Sequence, residues 1–204
     1  MMMKNIIVII LSIFVSCSLY HDDKKPEIFF QYSDFETLQL GKSFSDMTIS
    51  NDDNTIFLSD YNNNSILKIN TQNSLSIEQN TVVGSHPIAI DISSNNSTLA
   101  IAHEGESSIF LLNTQTMTVN NSFPISLMSM NDLIFINDST LIISSKTDPS
   151  CITLNLISGE ETTQSVLNGE FAMDKENEIL YVATSSSLKK YNWDGERFYQ
   201  DSNI

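Results

Sequence analysis

Cysteine, glycine, proline and positive charge are all scarce in this sequence. Its 204 residues include two cysteines, Cys17 and Cys151, which is too few for a fold that depends on disulfides. Six glycines and four prolines leave most turns to Asn, Asp and Ser. Ten Lys and Arg against 25 Asp and Glu give a formal net charge of −15. Such a surface repels phosphate, which excludes nucleic acid and anionic lipid headgroups as electrostatic partners.

Sequence motifs that carry catalysis are absent as well. The chain has no glycine-rich phosphate loop, no His-Glu-x-x-His, no Gly-x-Ser-x-Gly and no Cys-x-x-Cys pair. We therefore predict no catalytic residue. Cys151 is interpreted as a small buried hydrophobe, because in the repeats described below it aligns with Ile66, Ile109 and Leu188.

The N-terminal residues have the pattern of an export signal. Lys4 precedes an apolar run at 6–15, which is shorter than the roughly 20 residues that span a bilayer. The sequence Phe14-Val-Ser-Cys-Ser that follows resembles the lipobox of bacterial lipoproteins, with Phe14 in place of the usual Leu.

That resemblance implies that residues 1–16 are a lipoprotein signal peptide, that Cys17 is lipidated, and that residues 17–26 form a tether. The protein would then lie in the cell envelope, anchored to a bacterial membrane and facing the periplasm or the cell surface. Two alternatives are an ordinary secretory signal with an incidental cysteine and a disulfide between Cys17 and Cys151.

A unit of about 40 residues recurs through the rest of the chain. The second strand predicted in each unit begins at spacings of 43, 42 and 39 residues. These starting residues are Thr55, Thr98, Thr140 and Ile179. The predicted third strands end in an asparagine at nearly the same spacing, namely at Asn70, Asn113, Asn155 and Asn192. Polar turns separate the first and second strands, as expected of hairpins.

This pattern predicts an all-β fold, a β-propeller of four four-stranded blades within residues 27–204. The predicted blades cover about 41–83, 84–123, 124–166 and 167–201. Residues 27–40 are expected to add an outer strand of an earlier blade, which is one strand too many for a closed ring of four. We therefore favour a partial or open propeller, either truncated or paired with another chain, over a closed four-bladed ring.

The units resemble those of YVTN-type and lactonase-like seven-bladed β-propellers. The resemblance is clearest in Gly84-Ser-His-Pro-Ile-Ala-Ile-Asp-Ile92 and in Tyr181-Val-Ala-Thr184. WD-repeat and NHL-type propellers share the pattern more loosely. The resemblance implies a propeller fold and, for the lactonase-like members, hydrolysis at a site in the channel.

Four side chains form a candidate metal site. His86 precedes a first strand, whereas Asp60, His103 and Glu104 follow second strands, and both kinds of loop open on one face of a propeller. Imidazole and carboxylate ligands suit a divalent cation such as calcium or zinc. We nevertheless expect these to be solvated loop residues without a common ligand, and therefore expect no cofactor, with the divalent-metal site as the alternative.

Carboxylates also lie in or beside the first strands, at Asp46, Asp91 and Asp132. Such groups would face the channel or accept hydrogen bonds from neighbouring backbone, and we expect the second role.

Three aromatic residues, Tyr61, Trp193 and Tyr199, are placed at loops or on outer strands, where they could contact a partner. Packing between adjacent blades would explain Trp193 equally well.

Taken together, these features favour a lipid-anchored binding or scaffold module for a protein or glycan partner, since that role needs no catalytic residue. One alternative is a lactonase-like hydrolase with a metal in the propeller channel. Another is a structural envelope protein or a truncated fragment without an activity of its own.

Overall fold

A computed structural model describes residues 36–41, 43–148 and 150–200. They form four antiparallel sheets of four strands each, and no helix occurs among them. In every sheet four consecutive strands pair in chain order, so each sheet is a simple meander. The predicted all-β fold with four four-stranded units is confirmed.

The strand bounds follow the repeats. Sheet 1 contains β1 (Asp46–Ile49), β2 (Thr55–Asp60), β3 (Ser65–Asn70) and β4 (Ser76–Val82). Sheet 2 contains β5 (Pro87–Ile92), β6 (Thr98–His103), β7 (Ser108–Asn113) and β8 (Thr118–Pro124). Sheet 3 contains β9 (Met130–Asn137), β10 (Thr140–Ser145), β11 (Cys151–Asn155) and β12 (Glu161–Gln164). Sheet 4 contains β13 (Glu170–Asp174), β14 (Ile179–Ala183), β15 (Leu188–Trp193) and β16 (Phe198–Tyr199).

Turn chemistry fixes where the second strands of sheets 1 and 2 begin. Asp53 and Asn96 adopt left-handed backbone, with φ of 58° and 60°, in the first hairpins of sheets 1 and 2. In these two turns the backbone N–H of Thr55 and of Thr98 donates to a serine hydroxyl five residues earlier, at 3.0 Å. Asp and Asn thus occupy left-handed turn positions that glycine often occupies in hairpins.

The core lies between the sheets. The inner strands β1, β5, β9 and β13 are neighbours in that order, and apolar side chains of adjacent sheets pack together at each junction. In the part of the chain that is described, no comparable packing of inner strands joins β13 to β1. The four sheets therefore form an open arc, which confirms the partial propeller over the closed four-bladed ring.

Sheet 1 has a cover of its own. Leu38, Leu40 and Phe44 pack on its Leu58, Leu67 and Ile69. Residues 36–40, predicted to belong to a strand, have no strand structure and cover a sheet face instead. Residues 27–35, the signal peptide and the tether lie outside the described residues.

The outer strands β4 and β8 are each 7 residues long. Their side chains are almost all exposed, so no alternation of apolar and polar residues marks their extent.

Cys151 is fully buried, as predicted. The described residues include no helix with the length and apolar character that crossing a membrane requires.

Candidate functional site

A groove of about 450 Å³ lies where the inner strands of the arc begin. We call it the channel-mouth groove. All four sheets contribute to its lining, which includes Asp46, Tyr61, Glu104, Asp132, Lys146 and Glu170. As predicted, loops that enter inner strands and loops that follow second strands meet on one face. Four carboxyl groups and one ammonium group make the groove acidic.

The rim of the groove is held by contacts between loops. The Tyr61 hydroxyl donates to a Glu104 carboxylate oxygen, and this hydrogen bond raises the pKa of Tyr61. Lys146 Nζ lies 3.9 Å from the other Glu104 oxygen. The Tyr61 ring also contacts the His86 ring, with centroids 4.5 Å apart. Loops of three sheets are thereby joined at one side of the groove.

Each junction between inner strands is fastened by one aspartate. Asp46 accepts the Ile90 N–H at 2.7 Å, which joins sheet 1 to sheet 2. Asp91 accepts the Phe135 N–H at 2.7 Å, which joins sheet 2 to sheet 3.

Asp132 accepts the Phe171 N–H at 2.6 Å, which joins sheet 3 to sheet 4. The prediction that the three inner-strand aspartates satisfy backbone groups is therefore confirmed.

Burial raises the pKa of all three of these aspartates. For Asp91 the effect is opposed by Lys175, whose Nζ lies 3.8 Å from its carboxylate. For Asp132 burial is reinforced by the negative charges of Glu170 and Asp46, and its pKa rises to about 7. The groove therefore changes charge near neutral pH.

Asp132 should make folding stability fall as pH rises from about 4 to about 7. In this window the folded protein keeps a proton that the unfolded chain, with an ordinary pKa of 3.8, has lost. Since the folded state then binds more protons, stability decreases with pH, by up to about 4 kcal/mol over the whole window. Urea unfolding of Asp132→Asn should show a smaller stability difference between pH 5 and pH 8 than the unchanged protein.

The matched control is Asp53→Asn in an exposed turn, where asparagine suits the left-handed backbone. It should leave the pH dependence unchanged. If both variants changed the stability difference between pH 5 and pH 8 equally, the pH dependence could not be assigned to Asp132.

Two residues of the predicted metal site are buried. Asp60 accepts hydrogen bonds from the backbone and side chain of Asn63, at 3.1 and 2.9 Å. His103 packs on the Phe110 ring, with centroids 4.5 Å apart, and neither of its ring nitrogens has a hydrogen-bond partner among the described residues. Burial lowers the pKa of His103, so the ring is neutral at pH 7.

The other two residues have partners at the rim. Glu104 is engaged with Tyr61 and Lys146, and His86 Nδ1 lies 2.8 Å from the Ser85 hydroxyl. Within the described ranges, no three His, Cys, Asp or Glu side chains lie close enough together to hold a metal ion. The calcium or zinc site stays a prediction that rests on the sequence.

The predicted aromatic contacts are divided. Tyr61 lines the groove, and Tyr199 is exposed on β16. Trp193 is buried between sheets 3 and 4, with its ring 4.6 Å from that of Phe198. This is the packing alternative, and it leaves Trp193 little surface for a partner.

Sequence reasoning missed Asn131, Lys146 and Glu170 in the groove. A signal for Glu170 was present. In the strand register Glu170 pairs with Ala183 as Asp46 pairs with Ser59, so both carboxylates hold the same place in their sheets. Lys146 shares no residue type with its counterparts Tyr61 and Glu104, and the repeats could not identify it.

No protein-family model and no curated protein matches the chain. Solved structures do. Hydrazine synthase of Kuenenia stuttgartiensis is 13% identical with a TM-score of 0.65, over 84% of this chain and 51% of that chain. The WD40 repeats of RRP9 are 16% identical with a TM-score of 0.55, over 74% and 51%. A chain of the mitotic checkpoint complex is 15% identical with a TM-score of 0.59, over 74% and 49%.

This chain thus spans about half the length of these solved structures. At such low identity the likeness concerns the fold, and the matching structures are β-propellers and WD40-like proteins. The four sheets are therefore consecutive blades of a β-propeller.

Proposed function

We propose that this chain is a scaffold module that binds a protein partner, and that the channel-mouth groove takes a cationic segment of that partner. The observation that carries the proposal is the charge of the groove, where Asp46, Glu104, Asp132 and Glu170 face one Lys146. Arginine and lysine side chains of a partner would complement this charge.

The dimensions and the neighbours support a protein partner. A groove of about 450 Å³ suits a short segment with one or two side chains rather than a large rigid body. Two of the similar structures are the WD40 repeats of RRP9 and a chain of the mitotic checkpoint complex. Kinship with YVTN-type propellers is part of this proposal and rests on the segment 84–92.

We also propose that the module is displayed outside the cytoplasm on a lipid anchor at Cys17. Residues 6–18 support this, because a short apolar run is followed by a cysteine in a lipobox-like context. Two or three acyl chains hold a protein on a membrane far more firmly than one. The acidic surface offers no basic patch for this purpose, so the lipid would be the membrane contact.

Neutralising two groove carboxylates should weaken binding of a cationic peptide. The variant is Glu104→Gln with Glu170→Gln, and the probe is a fluorescent peptide of alternating arginine and glycine. We expect about a tenfold loss of affinity in fluorescence anisotropy, and a weaker dependence on salt, because two charges that attract the peptide are gone.

A matched control is Glu176→Gln with Glu178→Gln, an equal change of charge in the exposed turn after β13, at the other end of sheet 4. It should bind like the unchanged protein. The proposal fails if this control variant weakens binding as much, or if a peptide of alternating glutamate and glycine binds equally well.

A further inference from the structure

Every junction between neighbouring sheets is built from two matched faces. The side of a sheet turned toward the next sheet is called here its following face, and the opposite side its preceding face. At their centre, the following faces of sheets 1, 2 and 3 carry four residues each. These are Phe57, Ser59, Ile66 and Lys68 in sheet 1, Ala100, Ala102, Ile109 and Leu111 in sheet 2, and Ile142, Ser144, Cys151 and Thr153 in sheet 3. Apolar members of each set pack with the next sheet.

Sheet 4 has a following face of similar composition, and no other sheet of the described residues packs on it. Its cross-strand pairs are Tyr181 with Lys190 and Ala183 with Leu188. Sheet 1 has the corresponding pairs Phe57 with Lys68 and Ser59 with Ile66. Leu188 is 69% exposed, whereas its counterparts in the other three sheets are fully buried. Sheet 4 therefore carries an aromatic ring, a small residue and an aliphatic side chain at the positions where sheet 1 carries them in its junction with sheet 2.

The inner strand of sheet 4 also carries the acceptor that a junction uses. Asp46 and Asp132 each accept a backbone N–H of the next inner strand. Glu170 holds the position of Asp46 in the strand register, is exposed, and accepts from Asn131 Nδ2 at 3.2 Å. A further inner strand beside β13 would place its N–H groups next to this carboxylate.

Sheet 1 offers the complementary half. Met47 and Ile49 on its preceding face are 63% and 37% exposed. Their counterparts Ile90 and Ile92, which pair with β6 as Met47 and Ile49 pair with β2, are 3% exposed. The outer part of this face is covered by Leu38, Leu40 and Phe44, and we call residues 36–41, 43 and 44 the cap.

We propose that the following face of sheet 4 docks the preceding face of sheet 1 of a second copy of this chain. The docked sheet replaces the cap and repeats the junction found three times within the arc. A second copy is the occupant that the structure favours, because one chain contains both halves of the junction. Such a head-to-tail contact closes into a ring when the rotation allows it.

Two arcs of four blades make eight, which lies within the range of closed propellers. The cap competes with docking because it occupies Leu58, Leu67 and Ile69 of sheet 1. Association of the resting chain is therefore weaker than the bare faces would give, and it increases when the cap is loosened.

Sedimentation velocity of the full chain in mild detergent, over a range of concentrations, tests this. Leu188→Lys should raise the dissociation constant of the dimer at least about tenfold, because it puts a charge into an apolar junction. Ile157→Lys makes the same kind of change at a residue that is exposed on a sheet 3 turn, and it should have no effect. Leu40→Asp, which loosens the cap, should lower the dissociation constant.

Thermal unfolding of each variant separates a loss of docking from a loss of folding. The proposal is overturned if the unchanged protein and Leu40→Asp are both monomeric at every concentration, or if Ile157→Lys weakens association as much as Leu188→Lys.

The direction of docking has its own test. Leu188→Cys and Met47→Cys proteins are mixed and treated with a short bismaleimide. Cys151 is buried, and burial raises the pKa of its thiol to about 12, so it should not react. Crosslinks between positions 188 and 47 are expected. Crosslinks that join 188 only to 188 would show a symmetric contact of two following faces and would overturn the proposal.

Discussion

Replacing Cys17 with alanine is expected to abolish incorporation of labelled fatty acid into the protein and to leave residues 1–16 attached. In the proposed lipoprotein pathway the cysteine sulfur carries lipid, and cleavage occurs just before that residue, so one substitution blocks both events. Each buried methylene of an acyl chain contributes about 0.8 kcal/mol to membrane attachment. Mass spectrometry of the purified protein gives the length of its N-terminus and shows whether lipid is present.

The second cysteine provides the matched control. Cys151 is fully buried, in the cluster that sheets 3 and 4 form, so Cys151→Ala should keep the lipid and the cleaved N-terminus. An ordinary secretory signal predicts a different result, because cleavage would then not need Cys17. Normal cleavage of Cys17→Ala, or lipid on neither protein, would remove the anchor from the proposed function.

The repeats made most of the fold predictable. A second strand in each unit begins with the same polar-to-apolar step, and the structure starts β2, β6, β10 and β14 at the residues that this step marks. Burial explains the success. The middle strands of sheets 1, 2 and 3 are packed on both faces, so their apolar residues are fixed by the register of the repeat.

Features that depend on one junction were harder to predict. Trp193 lies at a place where a rim residue and a core residue look alike in sequence, and only the packing of Phe198 and sheet 3 decides between them. The repeat predicts a strand within residues 27–40, because they precede the first strand of the first unit and so take the outer-strand position of an earlier blade. Leu38 and Leu40 alternate with polar residues, which suits any extended segment that lays one side on an apolar face.

The groove was predictable in position but not in composition. Its location follows from topology, since loops at one end of every blade converge near the axis. Its charge depends on Glu170, which the repeat register identifies, and on the pKa of Asp132, which depends on burial and on the neighbouring Glu170 and Asp46. These last influences arise from residues far apart in sequence, so they appear only when the blades are assembled.

Gly169→Ala is expected to lower the free energy of unfolding by about 2–3 kcal/mol, because there is no room for a methyl group. A Cβ at Gly169 would lie 2.3 Å from the Ala183 carbonyl oxygen and 3.0 Å from the Val182 side chain. The carbonyl is part of β14, so relief requires β13 and β14 to move apart. Thermal unfolding followed by circular dichroism should show a midpoint lower by about 5–10 °C.

Gly105→Asn is the matched control for this substitution. Gly105 has left-handed backbone with φ of 79°, which asparagine tolerates, and no atom lies within 4 Å of a Cβ there. It should change stability by less than about 1 kcal/mol. The two glycines thus separate crowding from backbone strain. Equal stability of both variants would mean that β13 can shift freely, and the hydrogen bond from the Phe171 N–H to Asp132 would then be too adaptable to hold sheet 4 on the arc.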